Sequence, residues 1–200
     1  YINQMLENIT NLEMLIISAV LYLIGSIPFA IISSKIFNLP DPRSFGSKNP
    51  GATNVLRSGN KYAAFLTLIG DGLKGLVPVL FLVEMNIPIY QVYLLSFFLL
   101  IGHVFPVTLN FKGGKGVATS IGILIALDYI TAGLLIMTWL LMYYIFKVSG
   151  LSALIGFLLL PLFMFIASAG LYMIAISFIN MLFIFMTHKK NIIGFLSNES

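Results

Sequence analysis

Long, nearly uninterrupted apolar runs constrain this chain more than any other feature. A helix of about 20 apolar residues crosses the ~30 Å hydrocarbon layer of a bilayer, and the first run, Met14–Phe37, exceeds that length. Only 9% of the 200 residues are charged, whereas soluble domains carry about 25%. The chain therefore lacks the polar surface that a water-soluble globule needs. We predict an all-α, polytopic membrane protein.

The apolar runs predict about seven transmembrane helices. The fourth, Val117–Leu127, would be only about 16 Å long as a helix. It therefore either begins deep in the membrane after a re-entrant loop or continues past Asp128. Residues 1–13 are predicted to be an N-terminal extension, and residues 14–200 a single transmembrane domain. The other six predicted spans are Met14–Phe37, Tyr62–Val83, Ile89–Val104, Ile130–Phe146, Ala153–Ala167 and Leu171–Thr187.

The charged residues alternate between the two sides of these spans. Basic connections follow the first, third, fifth and seventh spans, at 38–61, 110–115, 147 and 188–190, whereas Glu84 and Asp128 follow the second and fourth. Because lysine and arginine favour cytoplasmic connections, the N-terminus is predicted outside and the C-terminus in the cytoplasm. The net charge of +4 fits this topology or contact with anionic lipids, and we predict no nucleic-acid partner.

A glycine-rich segment, Asn110–Ser120, stands out from the apolar background. It reads N-F-K-G-G-K-G-V-A-T-S. Glycines let main-chain N–H groups approach an anion closely, lysines add positive charge, and the following apolar run predicts a helix N-terminus at the same place. The spacing differs from that of a P-loop, so no nucleotide is implied. The segment predicts a phosphate cradle, the alternative being a cytoplasmic turn whose lysines only set topology.

The first polar connection, residues 38–61, is long for so compact a membrane protein. It reads N-L-P-D-P-R-S-F-G-S-K-N-P-G-A-T-N-V-L-R-S-G-N-K, and its prolines, glycines and asparagines argue against a long regular helix. Loops of this length are usually functional or disordered. Because its arginine, serine and asparagine side chains supply many donors for an anion, we favour a functional loop.

Asp71, Lys74 and His103 are ionisable residues inside or at the end of predicted spans. Asp71 and Lys74 lie three residues apart on one helical face, where a structural ion pair and a site-supporting role are both open. His103 lies beside the glycine-rich segment and is either a ligand or a hydrogen-bonded structural residue. The chain has no cysteine and only two histidines, so we predict no metal site and no disulfide.

The predicted topology brings the polar loops to one face of the membrane, while the membrane interior stays nearly free of polar groups. A transporter more often needs polar residues spread along a path across the bilayer. One-sided polarity favours chemistry between a soluble anionic substrate and a lipid-soluble partner. The alternatives are a membrane carrier or channel for an organic phosphate, and a non-catalytic scaffold.

Four motifs also carry a family resemblance. G-S-I-P-F-A, G-S-K-N-P-G-A-T-N-V-L-R, D-G-L-K-G and G-H-V-F-P-V-T-L-N-F-K-G-G-K-G-V-A-T follow one another from Gly25 to Thr119. Together they resemble the PlsY family of bacterial acyl-phosphate:glycerol-3-phosphate acyltransferases. The resemblance implies a multi-pass enzyme of the bacterial inner membrane whose active site faces the cytoplasm. It implies acyl transfer from acyl-phosphate to the 1-hydroxyl of sn-glycerol-3-phosphate, giving lysophosphatidic acid and inorganic phosphate, with no cofactor.

The resemblance also implies site residues and partners. The partners are acyl-phosphate, glycerol-3-phosphate, membrane lipids and the enzyme that makes acyl-phosphate. In the third loop, V-S-G-L-S-A, either Ser149 or Ser152 corresponds to the family's serine. The predicted catalytic residues are Ser47, Arg57, Lys115, His188 and Asn191. The predicted substrate-binding residues are Lys48, Asn49, Thr53, Asn54, His103, Lys112, Gly113, Gly114, Gly116, Thr119 and Ser152.

The chemistry of an acyl-phosphate is consistent with these predicted site residues. It is a mixed anhydride, so phosphate leaves readily and a strong protein nucleophile is not required. The site must neutralise two phosphates, position a hydroxyl and stabilise the developing oxyanion. No Ser-His-Asp array and no H-x-x-x-x-D motif occurs in the sequence. The general base is either His188 or the phosphate of the acyl donor, and we favour the phosphate.

Overall fold

The computed structural model describes residues 10–197, and this part of the chain is helical, with no strand. A short 3-10 turn at Val107–Leu109 lies between α5 and α6. The helices in chain order are α1 Asn11–Gly25, α2 Phe29–Ile36, α3 Ala52–Leu56, α4 Lys61–Glu84, α5 Ile89–Val104, α6 Val117–Leu127, α7 Tyr129–Phe146, α8 Ser149–Leu158, α9 Leu160–Ile166, α10 Leu171–Thr187 and α11 Lys189–Leu196. The all-α prediction is confirmed.

Four helical stretches of the described chain are long and apolar enough to cross a membrane, at residues 11–36, 61–84, 89–109 and 129–146. Two bent pairs, α8 with α9 at 46° and α10 with α11 at 66°, bring the number to six. The remaining apolar helix, α6, has eleven residues. The seven segments of the sequence prediction therefore correspond to these six and to the short α6.

Two helix boundaries differ from the prediction because side chains or local backbone set them. α1 begins at Asn11 because Thr10 and Glu13 form a reciprocal capping box. Residues 11–13 thus belong to the first helix, and residues 1–9 lie outside the described part. α8 begins at Ser149, so the polar break after α7 is confined to Lys147 and Val148.

The apolar run Met14–Phe37 is interrupted within the G-S-I-P-F-A motif. α1 ends at Gly25 and α2 begins after Pro28, whose ring cannot continue the hydrogen-bond ladder. The main chain of Gly25 packs directly on the main chain of Leu99 in α5, so a side chain at this position would overlap α5. The break turns α2 toward α4, where the Ser33 and Thr67 hydroxyls lie 2.6 Å apart.

The short helix α6 is held along its length by α4. Gly75 of α4 contacts the carbonyl of Thr119, and Gly122 of α6 contacts the carbonyl of Gly72. Small residues allow such close packing of membrane helices. α6 ends at Leu127 because Asp128 is extended and its carboxylate accepts the N–H groups that begin α7. The alternative that α6 continues past Asp128 is therefore wrong.

Candidate active site

The glycine-rich loop folds back on the last turn of α5. The N–H groups of Gly113 and Gly114 donate to the carbonyls of Val104 and His103, each over 3.0 Å. The imidazole of His103 lies against the α-carbon of Gly114, in the space that a side chain would occupy. These two glycines therefore permit tight packing of the loop, and their amides are engaged within the protein.

The main-chain N–H groups of the loop that have no protein acceptor follow the Gly113–Gly114 pair in the sequence. Gly116 has φ +88°, a left-handed conformation that favours glycine, and it begins α6 without a side-chain cap. In the described chain, the main-chain N–H groups of residues 115–119 donate to no protein acceptor. A helix N-terminus with unpaired N–H groups attracts anions. The geometry of an anion cradle is therefore present, with donors that follow the glycine pair.

Lys115 links this cradle to the C-terminal end of α10. Its ammonium group donates to the Asn191 side-chain oxygen. Its carbonyl accepts the Thr187 hydroxyl over 2.9 Å. Burial lowers the pKa of Lys115, and the nearby positive charges of Arg57 and Lys190 lower it further. Arg57 and Lys190 therefore lie close enough to Lys115 for their charges to act on it.

His188 follows the last residue of α10 and is 2% exposed. Its Nδ1 lies 2.9 Å from the Ile184 carbonyl, which can only accept a hydrogen bond, so Nδ1 carries the proton and Nε2 keeps its lone pair. Burial lowers the pKa of His188 to about 4, helped by the charge of Lys115. The ring is therefore neutral at physiological pH and is suited to accept a hydrogen bond.

The first polar loop is organised around Asn54. This buried side chain accepts the N–H of Ser47 over 2.9 Å, and its amide donates to the carbonyls of Pro42 and Phe45. It therefore holds the loop together, which the sequence did not indicate. The left-handed Gly46 packs against both Asn54 and Arg57, so the exposed Arg57 lies close to the residue that precedes the exposed Ser47.

The N-terminus of α8 completes the same surface. Gly150 packs against the side-chain amide of Asn191. The Ser149 hydroxyl lies 3.1 Å from the Thr53 hydroxyl of the first polar loop. Ser152 is fully buried and donates to the Val148 carbonyl over 3.0 Å. Between the two alternatives of the sequence analysis, Ser149 is the serine that reaches the polar surface.

The remaining predicted site residues fall into two groups. Lys48 and Lys112 are exposed and Asn49 is half-buried, and all three lie on the two polar loops. Thr119 is fully buried and donates to the Asp71 carbonyl over 3.0 Å, so its hydroxyl ties α6 to α4.

A second charged cluster lies beneath the glycine-rich loop. Lys74 Nζ lies 2.8 Å from Asp71 Oδ1 and donates to the Ile27 carbonyl at the α1–α2 break. His103 Nδ1 lies 3.5 Å from the same Asp71 oxygen. All three side chains are buried. The cluster therefore joins α4, α5 and the break after α1, which favours the structural ion pair over a site role.

Comparisons with known proteins show the family to which this chain belongs. The family model described as glycerol-3-phosphate acyltransferase matches residues 15–198. The chain belongs to this family. A glycerol-3-phosphate acyltransferase of Ruthia magnifica is 48% identical over 181 residues, which cover 89% of this chain and 90% of the relative. One from Dechloromonas aromatica is 50% identical over 149 residues, which cover 74% and 75%.

The fold is also that of a solved family member. The crystal structure of PlsY, an integral membrane glycerol 3-phosphate acyltransferase, in its glycerol 3-phosphate form superposes with a TM-score of 0.85 at 30% identity, and 92% of each chain is covered. The lysophosphatidic acid form gives a TM-score of 0.84 at 29% identity. This chain is thus a membrane glycerol-3-phosphate acyltransferase of the PlsY type.

Two residues near the cation cluster escaped the sequence reasoning. Thr187 fixes the Lys115 carbonyl, and Lys190 adds a third positive charge. Lys190 lies between His188 and Asn191 in the tail motif H-K-K-N. Its position beside two predicted site residues could have indicated that it also belongs to the site. The contact of Thr187 depends on the tertiary packing of α10 against the glycine-rich loop, and nothing in the local sequence indicates it.

Proposed function

We propose that the acyl donor of this enzyme is acyl-phosphate. The 1-hydroxyl oxygen of glycerol-3-phosphate attacks the acyl carbonyl carbon, and the bond between that carbon and the phosphate oxygen breaks. The hydroxyl proton passes to the departing phosphate. The products are lysophosphatidic acid and inorganic phosphate, and the reaction requires no cofactor.

The observation that supports this proposal best is the cluster of Arg57, Lys115 and Lys190. Of residues 10–197, no carboxylate pairs with any of the three. The N-termini of α6 and α8 lie next to the same cluster, through Lys115 and Asn191. Unpaired cations and free N–H groups stabilise phosphate charge. Two anionic substrates, each with a phosphate, match this excess of positive charge.

No activated nucleophile is found among residues 10–197, which supports direct transfer. The chain has no cysteine. His103 has a carboxylate neighbour, Asp71, and a hydroxyl neighbour, Thr119, but both approach the same ring nitrogen, Nδ1. A triad needs the carboxylate at one ring nitrogen and the nucleophile at the other. An acyl-enzyme on Thr119 therefore has no support, and a donor with a good leaving group is required.

The state of His188 supports proton transfer to phosphate. A pKa of about 4 makes this histidine a weak base, whereas the second pKa of a phosphate group is about 6. We assign Nε2 of His188 to orienting the attacking hydroxyl. Arg57, Lys115 and Ser47 are assigned to phosphate charge, and Asn191 to positioning Lys115. The phosphate of the donor is then the proton acceptor.

The decisive experiment compares acyl donors on the purified protein. With glycerol-3-phosphate and acyl-phosphate, we expect lysophosphatidic acid and inorganic phosphate in a one-to-one ratio. Acyl-CoA and acyl-carrier protein should give neither product. Equal rates with acyl-CoA would contradict the proposed donor. Uptake of glycerol-3-phosphate into liposomes without acyl transfer would favour the alternative of a membrane carrier.

We further propose that the site faces the cytoplasm of a bacterial cell, where an enzyme that makes acyl-phosphate would supply the donor. A cysteine at exposed Lys61 should react with impermeant thiol reagents only from the cytoplasm, and one at exposed Asn86 only from outside. The chain has no native cysteine to interfere. Asn60 is a poorer labelling position, because its side chain caps α4. The reverse labelling pattern would contradict the orientation.

A further inference from the structure

A hydrogen-bonded triplet lies inside the helix bundle and shares no residue with either charged cluster. Asn180 of α10 donates to the Tyr93 hydroxyl of α5 over 3.1 Å. The Ser120 hydroxyl of α6 donates to the Asn180 side-chain oxygen over 3.3 Å. All three residues have 0% exposure. Each polar group of this triplet has a partner, and each partner lies on a different helix.

The surroundings of the triplet are apolar. The core at this level includes Leu100, Leu124 and Ile184, each with 0% exposure. Such side chains pack acceptably in more than one register, because dispersion and burial have little directional preference. A hydrogen bond inside a membrane protein is directional, and a shift of one helix would leave a buried polar group unpaired. The triplet therefore selects one register of α10 against α6.

That register matters for the polar surface above it. α6 begins next to Lys115, and α10 ends next to His188. Asn180 is eight residues before His188, about 12 Å along a helix. A second polar tie joins the same two elements at their ends, where the Thr187 hydroxyl donates to the Lys115 carbonyl. The two ties fix both the distance and the rotation between α6 and α10.

We infer that Asn180 is a positioning residue of the transferase reaction. It holds the C-terminal end of α10, with His188 and Asn191, in contact with Lys115 and the N-terminus of α6. This inference rests on the proposed roles of Lys115, His188 and Asn191. Removal of the Asn180 amide frees α10 to shift while the apolar packing keeps the protein folded.

The test uses Asn180→Leu, with Ser177→Ala as the matched control. Ser177 is also fully buried on α10, but its hydroxyl donates only to the Ile174 carbonyl within the same helix. We expect Asn180→Leu to lower kcat at saturating substrates at least tenfold. Ser177→Ala should keep kcat within about twofold, because it removes no link between helices.

A distance measurement separates positioning from loss of stability. Spin labels on cysteines at exposed Phe111 and Lys189 report the separation of the glycine-rich loop from the end of α10. In the full-length, substrate-free protein, Asn180→Leu should broaden or shift the distance distribution, and Ser177→Ala should preserve it. The label pair without either substitution is the reference for both activity and distance.

Three outcomes decide the inference. An altered distance with lowered kcat supports it. A reference-like distance or a reference-like kcat in folded Asn180→Leu overturns it. If Asn180→Leu fails to fold, Tyr93→Phe and Ser120→Ala take its place, since each removes a single hydroxyl, and the same two readouts apply. The distance needs no substrate, so an altered distance stands even if acyl-phosphate proves not to be the donor.

Discussion

The two charged clusters of this protein differ in how their charges are compensated. Asp71 and Lys74 are buried and paired at 2.8 Å, inside a helix bundle. Arg57, Lys115 and Lys190 lie near one another at the ends of helices and loops, with no acidic partner in the described chain. A buried charge needs its partner within the protein. An accessible cluster of like charges is suited to receive the partner as substrate.

This difference predicts opposite consequences of substitution. Changes in the paired cluster should act on folding, and changes in the unpaired cluster should act on substrate affinity and turnover.

The largest effect is expected when the buried pair is broken. Asp71→Leu leaves the Lys74 ammonium without its carboxylate, and removing one partner of a buried pair typically costs about 3–5 kcal/mol. Thermal unfolding in detergent should show this loss. The double variant Asp71→Leu/Lys74→Met should be more stable than Asp71→Leu, because neither charge then remains. A double variant less stable than the single one would argue against a simple ion pair.

Substitution in the unpaired cluster should spare the fold. Arg57→Ala and Lys115→Ala should each lower kcat/KM for glycerol-3-phosphate on the order of 10²-fold, the typical cost of a lost charge-stabilising group. The thermal unfolding midpoint should stay near that of the parent. Arg57→Ala should also lower activity more than His188→Ala, because a phosphate charge is left uncompensated.

Arg43→Ala is the matched control for this cluster. Arg43 lies in the same polar loop as Arg57 but pairs with Asp41 at 2.6 Å. Its charge is already compensated, so its removal should leave kcat/KM within about twofold, as for most surface substitutions. An equal loss of activity in Arg43→Ala and Arg57→Ala would mean that general loop charge, and not a local site, attracts the substrate.

Two glycines of the loop should also differ in whether their substitution affects function or folding. At Gly116 an added β-carbon would make ordinary van der Waals contacts, the nearest at 3.5 Å, but the residue must adopt φ +88°, so Gly116→Ala should fold and raise the KM for glycerol-3-phosphate roughly tenfold. At Gly113 a side chain would overlap the His103 carbonyl, so Gly113→Ala should lower the yield of folded protein. Size-exclusion profiles and kinetics on the folded fraction measure the two effects. Identical behaviour of both variants would contradict this division.

The smallest effect concerns the pH dependence of stability. The pKa of His188 is lowered to about 4 in the folded protein, whereas an unfolded histidine has a pKa near 6.5. As pH falls from about 6.5 to about 4, the unfolded chain gains a proton here that the folded protein does not, so stability decreases. His188→Gln should weaken this decrease between pH 7 and pH 5. Parallel stability profiles of the parent and His188→Gln would contradict the lowered pKa.

The same variant, His188→Gln, also tests the role of His188 in the reaction through its KM and kcat. If the donor phosphate accepts the proton, His188→Gln should raise KM more than it lowers kcat, because an amide can still accept a hydrogen bond from the hydroxyl. A thousandfold loss of kcat at saturating substrates would instead make His188 the general base.

Residue type and spacing along the chain were enough to predict the class of fold. Apolar runs longer than about 20 residues have few folded alternatives in a bilayer, so the helical architecture could be predicted directly. The charge pattern and the four motifs indicated which loops carry the site. These properties are local: they depend on residue type and spacing, and neighbouring helices do not alter them.

The contacts of each polar side chain depend on tertiary packing, which the sequence pattern does not show. The Gly113 and Gly114 amides donate to carbonyls of α5, and the Asn54 side chain points inward and holds its loop. Ser149, and not Ser152, contacts the first polar loop. Tertiary packing also joins Asn180 to Tyr93 across 87 positions of sequence. Such contacts form between residues that are distant in sequence, and their directions depend on how helices pack. A one-dimensional pattern carries no record of that packing.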